Sequence, residues 1–578
     1  MSQAISKSRK SLLLGTSALV CLALATPVMA ADFTITSGTT TNDGNTVNGN
    51  DTVAVTGALV TTGANYGIET TGGTNTVSVA EAGSIDTTGG SAAGISNRGD
   101  TNETTVSGSI ETAGGGAYGI QISGDNNITT VSGSIETAGN AANGILQIGD
   151  DNATTISGTV SATGTDASAL MNITGSGNSF TLDEGAVIIG DITALAAATN
   201  SKLKFNLGQG ASYAYSVGGG GAGTGAGQWT FTEQDGRTPI VTTGGTNCRA
   251  TGVTVCNLVT GVSTGNLEAQ DELQFSMNSS MIGSLSLGSS NSAAPVEAMS
   301  FAQTPQNNAW FNIYGDTSDR SASTTKLAFD GSNRGLTIGT PVAISDTLNL
   351  DLVFNASNAN LDIGSAKEQQ ITAKSYNVGA VLRDLAPSTG WAVDAFGFVG
   401  RNSYDGKRKV MNNQEATGSE TVTAAYSGSE ILVGVDAQYS NPVTDTLNFI
   451  GGVNASLSNE KIGAYSESKY YSWDARTMMQ ATGGITAGLE YNKNAFTSFA
   501  TLSLQRSSLQ KGKTATYTNN GTAGSFTDNS RGSIYRSITV GFDYAGNEGM
   551  TFSGAVEAFS STGGVSGNSA SLTANWSF

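Results

Sequence analysis

Three short turns hold the residues best placed to do chemistry: GDTN at 99–102, GDNN at 124–127 and GDDN at 149–152. Their common spacing would set Asp100, Asp125 and Asp150 in one row and Asn102, Asn127 and Asn152 in another, and rows of oxygen ligands are what calcium takes. Turn chemistry accounts for the same residues without an ion, because Asp, Asn and Gly supply the positive-φ and self-bonded conformations of tight turns. The Asp spacing is also poorer than that of known calcium loops. The sequence therefore implies no metal and no cofactor.

Other reactive groups are sparse. There is no histidine in 578 residues, which removes the commonest general base and the commonest metal ligand together. Most catalytic triads and zinc sites fall with it. The Gly-rich run at 217–227 lacks the Lys-Ser/Thr ending of a phosphate-cradling loop. A pair of carboxylates could still cleave glycans on an extended β surface, but such a pair has no signature in sequence. Cys248 and Cys256, in NCRATGVTVC, are close enough to form a disulfide closing a small loop in an oxidising compartment. A net charge of −19 argues against nucleic acid as a partner, since that binding rests on Lys and Arg neutralising phosphates. The expectation is a protein that is not an enzyme.

The elements that position these residues fall into four segments. Residues 1–30 place Lys7, Arg9 and Lys10 ahead of an apolar run and then TPVMA, the order of a secretory signal peptide cleaved between Ala30 and Ala31. From about residue 80 to 180 the sequence repeats: Ile85, Ile110, Ile135 and Val160 recur every 25 residues, and Gly94, Gly119 and Gly144 keep the same step. A period of this size means one structural unit stacked on its neighbours. Short alternating runs such as Val106, Gly108 and Ile110 against Ser107 and Ser109 give strands broken by turns, so residues 31–265 read as a parallel β-helix of about nine coils. Residues 266–308 are a linker.

From 309 to 578 the alternation lengthens into twelve segments, beginning at Trp310 and ending at Phe578. Leu447, Phe449, Val453 and Leu457 share one face opposite Asn448, Asn454 and Ser456, as in a barrel with lipid outside and water inside. Short joins follow the even segments, whereas most joins after odd ones are long, up to about 25 residues. Short turns then face the periplasm and long loops the outside. Trp310, Trp391, Tyr439, Tyr491 and Tyr544 gather at the short-turn end, as an interfacial aromatic girdle would. Pro341 is a misfit inside the second segment, since proline cannot donate to a ladder. Leu572, Ala574, Trp576 and Phe578 share one face of the last segment, which must pair with the first to close the sheet.

The signal peptide, the Gly/Thr/Asn-rich repeats, the twelve C-terminal segments, the strand ends GVDAQY, GLEY and GFDY, and the final ANWSF together resemble the monomeric autotransporters of type V secretion. The resemblance implies an all-β chain: a β-helical passenger followed by a 12-stranded antiparallel transmembrane β-barrel, with a pore-spanning helical linker between them. For that helix it points to residues 271–308, with PVEAMSFAQ at 295–303 as the candidate. It implies outer-membrane lipid and the barrel-assembly machinery as partners, with Leu572 to Phe578 as the assembly signal. The passenger would be displayed at the cell surface or released, most simply as a non-catalytic adhesin or surface structure with a host or cell-surface ligand. Two alternatives stand beside this: a carboxylate-based glycan-degrading passenger, and a porin with an N-terminal appendage.

Overall fold

The computed structural model describes residues 32–262 except 37–39, 42–44, 209, 221–228, 235–238 and 244–254; residues 273–283; and residues 308–577 except 324–325, 346–347, 365–368, 384, 386–390, 520, 528–531 and 547–549. The chain is all-β, with one helix among the described residues. Its N-terminal part is a parallel β-helix with three faces. One face is a nine-stranded sheet and the second a seven-stranded sheet; the third runs through Ile95–Asn97, Ile120–Ser123 and Ile145–Ile148 to Ser212–Gly220.

Register explains the repeat. Ile110 lies between Ile85 and Ile135, and Ile135 pairs on to Val160, so identical residues stack in columns. Each coil turns one large apolar residue inward from each face: Val106, Ile110 and Ile120 in one coil, Val131, Ile135 and Ile145 in the next, all fully buried. Each such side chain contributes roughly 1.5–3 kcal/mol toward offsetting the conformational entropy lost when a coil is ordered. Several threonines that point inward are satisfied locally, as where Thr112 Oγ1 donates to Ala117 O at 2.7 Å and Thr137 Oγ1 to Ala142 O at 2.7 Å. Gly119 is required by close approach: a Cβ there would lie 2.3 Å from Ile135 Cγ2 and 2.5 Å from Gly144 O.

The C-terminal part is a closed antiparallel barrel. Its strands are β1 (Asn308–Arg320), β2 (Phe329–Ser345), β3 (Leu348–Ile363), β4 (Gln369–Arg383), β5 (Trp391–Met411), β6 (Ser419–Pro442), β7 (Leu447–Ile462), β8 (Arg476–Lys493), β9 (Phe496–Lys511), β10 (Ser533–Ala545), β11 (Thr551–Ser561) and β12 (Val565–Ser577). Closure runs the whole length of β1, from Asn308 opposite Ser577 to Arg320 opposite Val565. The outer wall exposes Ile313, Ile338, Leu352, Phe354, Val378, Val433, Ile485, Leu502, Ile538, Val556 and Leu572. The bore is polar, with Asn312, Asn355, Asn402, Glu430, Glu460 and Thr573 buried inside. A lipid-facing apolar wall around a polar interior is what a membrane-spanning barrel needs.

The structure alters several sequence expectations. The segment read as a loop of about 25 residues between the fifth and sixth strands is a paired hairpin: β5 and β6 span 21 and 24 residues and turn only at 412–418. Alternation continues there, with Arg408 and Val410 buried and Lys407 and Lys409 exposed, but charges on both faces erase the apolar signal. Trp310 is not part of an outer girdle. It is 1% exposed and faces the bore, where its Nε1 donates to Asp351 Oδ2 at 3.2 Å. Pro341 stays within β2 opposite Asp351, and the register slips between Ala343 and Ser345. The described part of the linker is a helix, α1, at residues 273–283, upstream of PVEAMSFAQ. That motif, Ala30, Ala31, Cys248 and Phe578 lie outside the described residues.

Candidate functional site

Two regions gather polar side chains in buried settings: the bore around α1, and the outer mouth where the β-helix meets the barrel. Helix α1 fits the bore because small and polar residues recur at helical spacing on two of its faces. Ser276 and Ser280, one turn apart, both donate to Asp316 on β1, Ser276 Oγ at 3.0 Å. Asn333 Nδ2 donates to the same carboxylate at 3.1 Å. On the second face Asn278 Nδ2 donates to Glu430 Oε1 at 2.7 Å, and Gln274 Nε2 donates to Ser458 Oγ at 3.0 Å.

Glu430 in turn stands near Glu460. Asn402 Nδ2 reaches Glu430 at 3.3 Å and Glu460 at 2.8 Å, and Tyr404 Oη donates to Glu460 at 2.7 Å. The apolar side chains of α1 are covered as well. Leu273 and Met277 pack with Phe329, Leu361 and Ile371; Met281 packs with Trp310, Val353 and Phe398; Phe275 stacks on Tyr535 at 4.4 Å. Toward the short-turn end, Arg383 bridges Asp351 at 3.0 Å and Asp394 at 2.9 Å. A helix this thoroughly bonded acts as a plug.

At the outer mouth the tip of the β5–β6 hairpin enters the β-helix. Val410 and Met411 pair in parallel with Ser212 and Tyr213, continuing a face of the β-helix onto the barrel. Asn413 is fully buried and serves two successive coils. Its Nδ2 donates to Gly190 O at 2.8 Å and Ser216 O at 2.9 Å; its Oδ1 accepts from Ser216 N at 2.8 Å; and its carbonyl accepts from Gly190 N at 2.8 Å. Gln414 Nε2 donates to Asp191 Oδ1 at 2.9 Å. One amide side chain thus supplies donors and acceptor that a further coil would otherwise provide.

A small four-stranded sheet roofs the same mouth, built from Tyr465–Ser466, Tyr471–Trp473, Thr514–Asn519 and Thr522–Thr527. Its core of Tyr471, Trp473, Tyr517 and Phe526 packs against Val262 and Ile240 of the β-helix end. Asn519 Nδ2 donates to Thr260 Oγ1 at 2.7 Å. The loops are held together by Arg408 against Glu467 and by Asn412, Lys469 and Tyr470 converging on Glu420. Bonding to Glu420 raises the Lys469 pKa, and burial, reinforced by Glu420, raises that of Tyr470. Both groups therefore carry their protons at neutral pH and can donate to Glu420.

The turn residues singled out in the sequence build ladders. Asp125 N donates to Asp100 Oδ1 at 2.8 Å, Asp150 N to Asp125 Oδ1 at 2.7 Å and Ser176 N to Asp150 Oδ1 at 2.8 Å. Asn102 N donates to Asn127 Oδ1 at 2.8 Å, and Asn127 N to Asn152 Oδ1 at 2.9 Å. Thr101, Asn126 and Asp151 hold φ near 60° (60°, 56° and 54°), as the turns require. Trp391, Tyr439, Tyr491 and Tyr544 sit at the short-turn ends of their strands, with Trp391 and Tyr439 in ring contact at 5.4 Å. Leu572 is exposed on the outer wall, and Trp576 contacts Phe311 at 5.8 Å. Asn413, Gln414, Asp316 and Glu430 escaped notice in the sequence. The signal available for the two acids was their inward parity on β1 and β6.

Comparison with known proteins matches residues 309–557 to the family described as the autotransporter beta-domain. No curated protein matches the chain. Among solved structures, the translocator domain of autotransporter NalP from Neisseria meningitidis is 13% identical, covers 54% of this chain and 98% of its own, and has a TM-score of 0.40. The beta domain of the Bordetella autotransporter BrkA is 14% identical, covering 47% and 100%, with a TM-score of 0.37. The transport unit of the autotransporter AIDA-I from Escherichia coli is 12% identical, covering 52% and 99%, with a TM-score of 0.36.

Proposed function

With an autotransporter β-domain at residues 309–557 as the premise, we propose that this chain carries its own β-helix across the outer membrane and keeps it seated on the barrel mouth as a surface structure. The observation that supports retention over release is Asn413, whose four buried bonds tie two coils to the β5–β6 tip. Export without ATP can draw on coil-by-coil folding outside, since each coil buries three large apolar residues. On this reading the passenger is a non-catalytic adhesin or spacer, its ligand lies on a host or neighbouring cell, and the strand from Leu572 onward is what the barrel-assembly machinery engages.

Surface shaving of intact cells followed by mass spectrometry tests display. Peptides from residues 32–262 should be released, and the undigested passenger should sediment with the outer membrane. A passenger untouched by protease on intact cells, or found wholly in the medium, would overturn the reading. Hydrolysis of any glycan in a polysaccharide panel would replace the adhesin role by an enzymatic one.

A further inference from the structure

The outer wall of the barrel carries a group of cations that none of the preceding roles uses. Arg334 on β2, Lys374 on β4 and Arg401 on β5 are all exposed, and each has the same parity as the lipid-facing residues of its strand: Ile338, Val378 and Val399. Each lies just beyond those apolar residues toward the end that bears the β-helix. Register brings them together. Arg334 is opposite Asn358, Asn358 is opposite Lys374, and Lys374 is opposite Ser403, two residues from Arg401. At a strand spacing of about 4.8 Å, the Cα atoms of Arg334 and Lys374 are roughly 10 Å apart, with Arg401 diagonal to Lys374 at roughly 7–8 Å. Asn358 fills the position between them, and the half-exposed Tyr376 lies directly opposite Arg401.

None of the three cations makes an ion pair among the described residues. The outward carboxylates on this part of the wall, Asp330, Asp362 and Asp405, each stand four residues farther out on their strands than Arg334, Asn358 and Arg401, about 13 Å at the usual rise. Lys407 and Lys409 stand at and beyond the height of these carboxylates, so the wall runs from apolar belt to a row of cations to a rim of mixed charge. Long cationic side chains at a membrane edge often do no more than reach for water. That alternative accounts for each cation singly; three at neighbouring positions also sum to a field that one anionic group can satisfy, while their mutual repulsion at this spacing is small in water and further screened by salt. Elsewhere at this height the outward residues include the uncharged Thr317, Ser429 and Thr477 and one further cation, Lys461 on β7, two strands from Arg401 with Ser429 between them.

We propose that Arg334, Lys374 and Arg401, with Asn358 and Tyr376, bind the phosphate-bearing headgroup of a glycolipid in the outer leaflet. Guanidinium groups pair with phosphate oxygens in a fork geometry and the ammonium adds a point charge. Asn358 can bond a sugar hydroxyl, and the Tyr376 ring lies at headgroup depth, where amphipathic rings settle. The acyl chains of such a lipid would cover Ile338, Phe354, Val378 and Val399 directly below. The proposal rests on the outer-membrane placement of the barrel, not on the fate of the passenger.

Native mass spectrometry of the full chain in mild detergent tests it, with three added lipids: diphosphorylated lipid A, the same lipid stripped of phosphate, and phosphatidylglycerol. The intact protein should retain diphosphorylated lipid A in preference to the other two. The variant Arg334→Gln/Lys374→Gln/Arg401→Gln should bind it roughly 100-fold more weakly, from the loss of three cations near the headgroups. Arg506→Gln/Arg536→Gln, a cation pair on β9 and β10, should leave that binding in place. Equal retention of phosphatidylglycerol or of the dephosphorylated lipid by the unaltered protein would overturn the assignment, as would a triple variant that binds like the parent. If the triple variant fails to fold, the preference shown by the unaltered protein still decides. Heat-modifiable migration of the barrel in each sample separates failure of this site from failure of the barrel itself.

Discussion

Single residues do disproportionate work where chain geometry leaves no alternative partner. Asn413 meets both the donor and the acceptor of Ser216 and the carbonyl of Gly190 with one side chain. Asn413→Ala removes all three bonds and leaves buried backbone groups unpaired, at about 1–3 kcal/mol for each. Hydrogen exchange should show the Ser216 amide losing protection while amides near Thr104 and Thr129 keep theirs. An unchanged Ser216 rate would mean that water or another group serves the site. Gly119 has the opposite problem: any Cβ collides with Ile135 and Gly144 O. Gly119→Val should therefore cost about 1–3 kcal/mol by overpacking, read as protease sensitivity confined to the β-helix. The glycine column was legible in the 25-residue spacing. Asn413 was not, because one of two adjacent Asn residues in a polar stretch looks like any turn residue until the coil it meets is in place.

At the scale of elements, the twelve strands were visible wherever one side faced lipid and the other water, since that contrast writes a period of two into the sequence. It faded wherever both faces are polar. The outer halves of β5 and β6 are the example: Lys407, Arg408 and Lys409 alternate in direction but not in hydropathy. Trp310 went astray for a related reason, as parity relative to a strand end does not say which face a bulky ring takes. The range 271–308 expected to hold the pore helix contains α1. Its place within that range was hidden by its Ser and Asn content, which is unfavourable for an isolated helix but suited to a bore lined with Asp316 and Glu430. Glu430→Ala removes the acceptor of Asn278 and should loosen the plug, raising the conductance of the barrel in planar bilayers. Glu430→Gln keeps an acceptor oxygen and relieves the repulsion from nearby Glu460, so it should leave conductance low and stability equal or higher. Higher conductance from the Gln variant would show that charge itself anchors α1.

At the scale of the whole molecule, two cores of different kind meet at one seam. The β-helix buries apolar side chains inward along a rod, whereas the barrel turns them outward, so Leu572→Arg on the lipid face should cost up to about 2–4 kcal/mol according to depth and abolish heat-modifiable folding. The same change has no bearing on β-helix contacts. The seam is where the two cores communicate, and it can be altered without entering either. Replacing residues 412–418 by a two-residue Asn-Gly turn suits the β5–β6 ladder and removes Asn413 and Gln414 from the β-helix end. In detergent the altered protein should show an unchanged barrel transition and a lowered β-helix transition. Because tip and side chain act through the same bonds, adding Asn413→Ala to the analysis as a separate variant should give a loss of similar size rather than a fraction of it, the behaviour of residues in one network. If shortening the tip lowers β-helix stability far more than Asn413→Ala does, then the parallel pairing of Val410 and Met411 with Ser212 and Tyr213 carries the seat. If neither change moves the β-helix transition, the roof formed by Tyr471, Trp473 and Phe526 against Val262 holds the passenger unaided.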